Sequence, residues 1–237
     1  DALVTGHYVR RVGGTKEARL YKAKDLKKDQ SYFLFATTSE QLDYVRFPIG
    51  EYLKTEVREI ADKLSLSIKD KPDSQDICFV TKGSYRSLIS KLKPESYKIG
   101  NIIDCDNNII GKHNGIFNYT IGQRKGIGIG GAKIPLYVID INQKDNTIVL
   151  GEKKHLLKTT IELKSINWIN NKIDKNLKCS ARIRSTQNEL KGRLKIEGDK
   201  AKFIFDDQIN STSPGQACVF YLKDQVLGGG WITKTSS

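Results

Sequence analysis

Beyond Pro94 the chain consists of short alternating runs of apolar and polar residues broken by Gly, Asn or Asp, with almost no helical spacing. A pattern of period two with turn residues at close intervals excludes a helical bundle and demands sheets. "GNIIDCDNNIIG" (100–111) reads as a hairpin with Asp106, Asn107 and Asn108 at its turn, and "LYVIDINQKDNTIVLG" (136–151) as another. From about residue 157 the runs "TTIELKSINWI", "LKCSARIR", "ELKGRLKIEGDKAKFIF" and "GQACVFYLKDQVLGGGWI" follow one another. Strands this short and this regular predict a small closed barrel.

The first 92 residues differ. "ALVTGHYV" (2–9) reads as a buried strand interrupted by Gly6, and "ARLYKA" (18–23) alternates like a second strand. "TSEQLDYVRF" opens on Thr38 with Gln41 three positions on, a capping-box pattern, and Pro48 closes the segment. In "KTEVREIADKL", Val57, Ile60, Ala61 and Leu64 fall on one helix face, and "SYRSLISKL" repeats this with Tyr85, Leu88, Ile89 and Leu92. The fold class expected is therefore α/β plus all-β. Its parts are an α/β segment over 1–92, a central β-rich domain over 93–155 and a β-barrel over 156–237.

With 40 basic against 27 acidic side chains the net charge is +13, which attracts polyanions such as nucleic acid. Lysine outnumbers arginine 30 to 10, so part of that charge reflects composition alone. The excess sits mainly after residue 92, where 23 basic residues face 14 acidic ones. No run approaches the length of a membrane span and no signal peptide opens the chain, which leads us to expect an intracellular protein without a membrane partner. Cys78, Cys105, Cys179 and Cys218 lie far apart with no Cys-x-x-Cys pair, so neither a structural metal nor a disulfide scaffold is expected. The chain starts inside an apolar run and has no methionine, which reads as a fragment.

Several motifs invite chemistry. "GIGIGG" (126–131) satisfies the spacing of a dinucleotide loop, but Pro135 and β-type sequence follow where a helix N-terminus is required, so a glycine turn is the better reading. Gln123, Arg124 and Lys125 before it read as a solvated loop. "KKDQSY" (27–32) reads as a polar helix start capped by Asp29. Arg182 and Arg184 fall on one strand face, where they suit either phosphate oxygens or surface ion pairs. Cys78, in "DICFV" behind a polar loop, reads on its apolar neighbours as packing. Neither a Ser/His/Asp arrangement nor a Walker-type phosphate loop is present.

Taken together, "VTGHY" (4–8), "KDQSYFL" (28–34), "FPIGEYLKTEVREIA" (47–61), "DSQDICF" (73–79), "HNGIFNYTIGQRKGIGIGG" (113–131), "SPGQACVFY" (213–221) and "VLGGGWI" (226–232) resemble the tRNA-specific 2-thiouridylases of bacteria and organelles in this order. The resemblance covers the whole chain. It implies that residues 1–92 are the C-terminal part of an adenine-nucleotide α-hydrolase (PP-loop) domain whose phosphate-binding half lies outside this sequence.

It further implies ATP, with Mg as its usual counterion, as the cofactor, and tRNA as the substrate. The activity implied is 2-thiolation of the wobble uridine (position 34): sulfur from a cysteine persulfide reaches an adenylated uridine. Cys78 matches the cysteine that receives the sulfur, overturning its packing reading, and an upstream family cysteine attacks the persulfide or pairs with it. Gly6 matches a glycine near ATP. His7, Lys28, Asp29, Gln30, Arg184, Ser185 and Gln216 match tRNA contacts, although the family often has an aromatic at the position of Ser185. A sulfur-carrier protein or a cysteine desulfurase relay is the implied donor, and the cytoplasm or an organellar matrix the implied location. The alternative is a tRNA-binding fragment that performs no chemistry.

Overall fold

The computed structural model describes residues 1–66, 97–131, 134–169 and 174–237. They pack as two compact units, one built from the residues before position 67 with Thr159–Gln208 and Pro214–Ser237, the other from the described residues of 97–158 with Ile209–Ser213. The expected helix over 84–92 and Cys78 lie outside the described residues.

In the first unit six strands close on themselves: β9 (Leu157–Trp168), β10 (Asn176–Arg182), β11 (Leu190–Glu197), β12 (Lys200–Asn210), β13 (Ala217–Leu222) and β14 (Gln225–Ser236). Around the barrel the order is β13, β10, β11, β12, β9, β14, and β14 returns to β13. Closure leaves no barrel edge unpaired. The inward residues follow the period of two: Leu194 on β11 is buried between exposed neighbours, and Ala201, Phe203 and Phe205 on β12 are buried between half-buried or exposed ones. Phe203 stacks on Phe220 at 6.0 Å between ring centres, and Phe220 in turn on Trp168 at 5.7 Å.

Strand β13 is the exception to alternation, because all of "ACVFY" is buried. One face of it, Cys218 and Phe220, belongs to the barrel side that holds the stacked rings. The other, Ala217, Val219 and Tyr221, joins a second cluster with Val9, Leu20, Tyr32, Phe35, Leu42 and Phe47. A continuous apolar run is what a strand covered on both sides requires. The N-terminal segment supplies that cover. Its hairpin, β2 (Val9–Val12) with β3 (Arg19–Lys22), extends the sheet by pairing β3 with β14. A side chain at Gly229 would strike the Cys218 carbonyl and the Phe35 ring, so this glycine is what lets Phe35 lie across β14.

Three sequence expectations need correction. "ALVTGHYV" is not one buried strand: only Leu3–Val4 forms β1, both residues are 63% exposed, and β2 begins at Val9 after irregular backbone and a bend at Tyr8. Strand β1 pairs in parallel with β4 (Val45–Arg46), which takes over from helix α1 (Ser39–Tyr44) before Pro48 is reached. Asp29 caps no helix, because residues 31–36 form turns. Other expectations hold. Thr38 caps α1 with the full capping box, its side chain accepting from Gln41 N and the Gln41 side chain accepting from Thr38 N. Helix α2 (Lys54–Lys63) carries the expected apolar face, and among the described residues nothing buries it.

The second unit holds four strands, β5 (Ile99–Ile103), β6 (Ile109–Asn114), β7 (Tyr137–Asn142) and β8 (Thr147–Gly151), in the order β6, β5, β8, β7. Both expected hairpins are present. Ile102, Val138, Ile148 and Leu150 form its core with Ile127. The "GIGIGG" stretch is irregular backbone and opens no helix. Gly126 and Gly128 take positive φ, and the turns they make deliver Ile127 into the core and Ile129 against it. Its glycines serve packing.

Truncating the central ring of the barrel tests this account. Phe203→Ala should lower unfolding free energy by about 3–5 kcal/mol in denaturant melts; a loss below about 1 kcal/mol would show that the rings are not close-packed.

Candidate nucleic-acid interface

Asp29 joins the N-terminal segment to the barrel. Its Oδ1 accepts from Ala23 N at 3.1 Å and Ser31 N at 3.2 Å, and its Oδ2 accepts from Ser31 Oγ at 2.8 Å and Arg182 Nη1 at 2.9 Å. Four donors leave this carboxylate no reason to face water, and its side chain is 1% exposed. The other arm of Arg182 reaches Glu189 at 3.3 Å, and its guanidinium lies over the Tyr221 ring at 4.9 Å. Glu189 also accepts from Lys22 at 2.5 Å and from Ser180 Oγ at 2.6 Å.

Burial opposes the charge on Arg182, but Tyr221, Asp29 and Glu189 outweigh it and raise its pKa above the ordinary arginine value. Burial likewise pushes the Tyr221 phenol up, which keeps its ring neutral beneath two cations, Arg182 and Lys22. The pairing of Arg182 with Arg184 as two phosphate ligands is therefore corrected. Arg182 is spent inside the protein, and only Arg184 is exposed.

Around this network the residues singled out in the sequence gather at one end of the barrel. β10 runs antiparallel to β13, with Arg182 opposite Val219. The residues that follow β10, Arg184 and Ser185, and the residue that precedes β13, Gln216, consequently leave the sheet at the same end, and all three are exposed. Residues 28–32 sit there too, because Tyr32 Oη donates to the Ala217 carbonyl at 3.0 Å. Burial raises that phenol's pKa to about 12, so it remains a donor at neutral pH. Gln30 binds the next segment: its Oε1 accepts from Tyr8 N at 2.9 Å and its own N donates to Tyr8 O at 3.0 Å. That places His7, whose Nδ1 is 2.8 Å from Thr5 Oγ1, beside the "KDQ" run.

The structure thus brings His7, Lys28, Asp29, Gln30, Arg184, Ser185 and Gln216 together in one unit, with Asp29 as the inward brace and the others half-buried or exposed. Lys22 and Glu189 are the members sequence reasoning missed, whereas Arg182 was singled out but with another role. The linear trace of Lys22 is a charged residue at an inward position of an alternating strand.

Gly6 adjoins His7 and is exposed. A side chain built there would approach nothing closer than Ile49 Cδ1 at 3.9 Å. Among the described residues that is ordinary contact distance, and nothing else lies within 4 Å. Among the described residues no cluster of three or more His, Cys, Asp or Glu side chains suits a metal. The described cysteines are free thiols. Burial raises Cys218 well above the ordinary thiol range and Cys179 to about 12, whereas Cys105 is exposed with its Sγ 3.6 Å from His155 Nδ1.

Comparison with known proteins divides the chain in three. Residues 1–82 match the tRNA methyl transferase HUP domain, residues 88–152 the tRNA methyl transferase PRC-barrel domain, and residues 158–232 the aminomethyltransferase beta-barrel domain. The chain is 48% identical over 237 residues to the tRNA-specific 2-thiouridylase MnmA of Orientia tsutsugamushi (strain Boryong), an alignment covering 99% of this chain and 64% of that protein. It is 47% identical to the protein of the same name from Rickettsia massiliae (strain Mtu5), over 99% of this chain and 65% of the relative. The chain therefore spans less than two thirds of the length of these relatives.

Two outcomes follow from the geometry. Asp29→Ala should cost about 3–5 kcal/mol of stability in denaturant melts, because it strands a buried guanidinium, whereas Asp29→Leu with Arg182→Met should recover most of that loss; equal losses would contradict the brace. Iodoacetamide at pH 8 should alkylate Cys105 in the native protein and spare Cys179 and Cys218 until denaturant is added, as read by peptide mass mapping.

Proposed function

We propose, from its similarity to the tRNA-specific 2-thiouridylases, that this chain supplies the RNA grip and the sulfur-bearing cysteine of an ATP-dependent tRNA-uridine 2-sulfurtransferase. The observation that carries the proposal is the convergence of His7, Lys28, Gln30, Arg184, Ser185 and Gln216 on one end of one compact unit, drawn from segments as far apart in the sequence as positions 7 and 216. Their chemistry suits RNA: a cation for phosphate, and amide, hydroxyl and imidazole groups for sugar and base edges.

In this reading Arg184 and Lys28 take phosphates, while Gln30, whose carbonyl oxygen is already bound to Tyr8, offers its amide N–H groups. Gln216 and Ser185 hold the strand so that the wobble uridine projects away from the barrel. Asp29 is a positioning residue: it fixes Lys28 and Gln30 by holding the backbone of Ala23 and Ser31.

ATP, with Mg, would supply activation of the uridine C2 oxygen, and Gly6 is the part of this chain beside which it would lie. The phosphates would be held by residues outside this chain. Cys78, outside the described residues, carries the sulfur as a persulfide. Its terminal sulfur forms the bond to C2, the C2–O bond breaks and AMP departs. The disulfide left on Cys78 forms with an upstream cysteine as the sulfur–sulfur bond of the persulfide breaks. A cysteine desulfurase or a sulfur-carrier protein reloads the thiol after reduction. This chain by itself would bind tRNA without turnover. No described helix is long and apolar enough to cross a membrane.

Cys78→Ser in the full-length protein should abolish 2-thiouridine formation, measured by nucleoside mass spectrometry, while tRNA affinity changes less than about twofold. Retained thiolation would refute the sulfur role. Arg184→Ala should weaken tRNA binding by about tenfold and reduce the slope of log affinity against log salt by about one, with melting temperature unchanged; unaltered affinity would refute the interface.

A further inference from the structure

The outer face of the barrel carries a second feature that the interface above does not use. On β11 the residues pointing outward are Lys191, Arg193 and Lys195, each exposed, between the inward Gly192 and Leu194. The register sets Lys178 of β10 directly opposite Arg193, and Lys202 of β12 directly opposite Lys195. Two neighbouring rungs of the sheet are thus occupied by like charges. Cross-strand neighbours stand about 4.8 Å apart and alternate residues along a strand about 6.8 Å apart, so four cations share one small patch. Like charges directly opposite one another destabilise a sheet. The one acidic side chain paired there is Glu197, 3.8 Å from Lys202, and among the described residues Lys178, Arg193 and Lys195 have no ion-pair partner. Lys191 stands next to Asp206 by continuation of the register and is left out of the patch.

Lysine-rich composition does not account for this arrangement, because the same barrel pairs opposite charges elsewhere. Lys234 of β14 faces Glu162 of β9, and Lys22 meets Glu189 and Asp224. Nor does the fold gain from it, since the inward residues of these strands do the packing. The patch and the interface share one strand: Arg184 follows Lys178 by six residues, about 20 Å along β10, with the internally paired Arg182 between them. A cluster of cations at that distance from a proposed RNA grip suits a second stretch of the same polyanion.

We propose that Lys178, Arg193, Lys195 and Lys202 form a track for the phosphate backbone of the bound tRNA beyond the anticodon loop, so that the outer sheet β10–β11–β12 reads the body of the molecule by charge alone. This inference rests on the tRNA-binding reading. The side chains make no base contacts and serve any tRNA equally; their effect falls on affinity and association, and is sensitive to salt.

The test uses the full-length protein and two RNAs, an intact unmodified tRNA and its isolated anticodon stem-loop, titrated from low to moderate salt. The triple variant Lys178→Gln, Arg193→Gln and Lys195→Gln should bind the intact tRNA at least about tenfold more weakly, with the salt slope reduced by about two. It should bind the stem-loop within about twofold of the parent. Its melting temperature should be unchanged or higher, because repulsion has been removed, and Lys234→Gln should behave as the parent. Arg184→Ala, by contrast, should weaken both RNAs. The track is overturned if the triple variant binds intact tRNA like the parent, or loses affinity for both RNAs equally. In the first case, salt-sensitive retention of the parent but not the variant on immobilised polyglutamate reassigns the face to an acidic protein. Failure of the parent to bind either RNA overturns the tRNA reading and the track with it.

Discussion

The ion pair between Asp29 and Arg182 is the interaction on which the functional end of this molecule depends. Residues 23–37 form no strand and no helix, so no ladder of backbone hydrogen bonds specifies where they sit. A carboxylate with four donors does so instead. Removing both charges from water costs nearly as much as their attraction returns, so the net contribution to stability is small beside the cost of breaking the pair. Its effect is to give an irregular segment one seat on the barrel, and through Tyr32 and Gln30 to tie that seat to β13 on one side and to the His7 region on the other.

That arrangement separates two kinds of charge on one barrel. Inside the network, Lys22, Arg182, Asp29 and Glu189 neutralise one another and are largely withdrawn from solvent. At the barrel end Arg184 is exposed, and on the outer face of β10–β11–β12 Lys178, Arg193 and Lys195 are exposed without an ion-pair partner among the described residues. The inner set holds the frame rigid. The outer set concentrates positive charge, so that a net charge of +13 becomes a local field instead of an average property of the surface. The buried thiols Cys179 and Cys218 lie on the inert side of the same division, since burial keeps them protonated and leaves them unfit for sulfur transfer.

Local patterns were legible wherever the sequence alone decides the outcome. The Thr38 capping box needs only a side chain reaching three residues along the chain, and it forms as read. The two hairpins of the second unit follow from alternation and turn residues, and "GIGIGG" was recognisable as a glycine turn and not a dinucleotide loop because no helix could follow it. The reading of "ALVTGHYV" failed because strand-like composition says nothing about what lies over it; Leu3 and Val4 are exposed among the described residues. Arg182 misled for a related reason. Spacing placed it beside Arg184, but its partner lies 153 positions away.

By itself the sequence determined the period-two strands, the cap and turns, the net charge and, through its ordered motifs, the family resemblance. Each of these is set by neighbours within a few residues or by identity at fixed positions. Only the tertiary structure decided that "KDQ", Arg184, Ser185 and Gln216 share one end of a closed barrel, that Asp29 faces inward, and that the cations of β10, β11 and β12 stand opposite one another. Those facts depend on strand order, register and barrel closure. They arise from packing between distant segments, for which a linear pattern carries no coordinate.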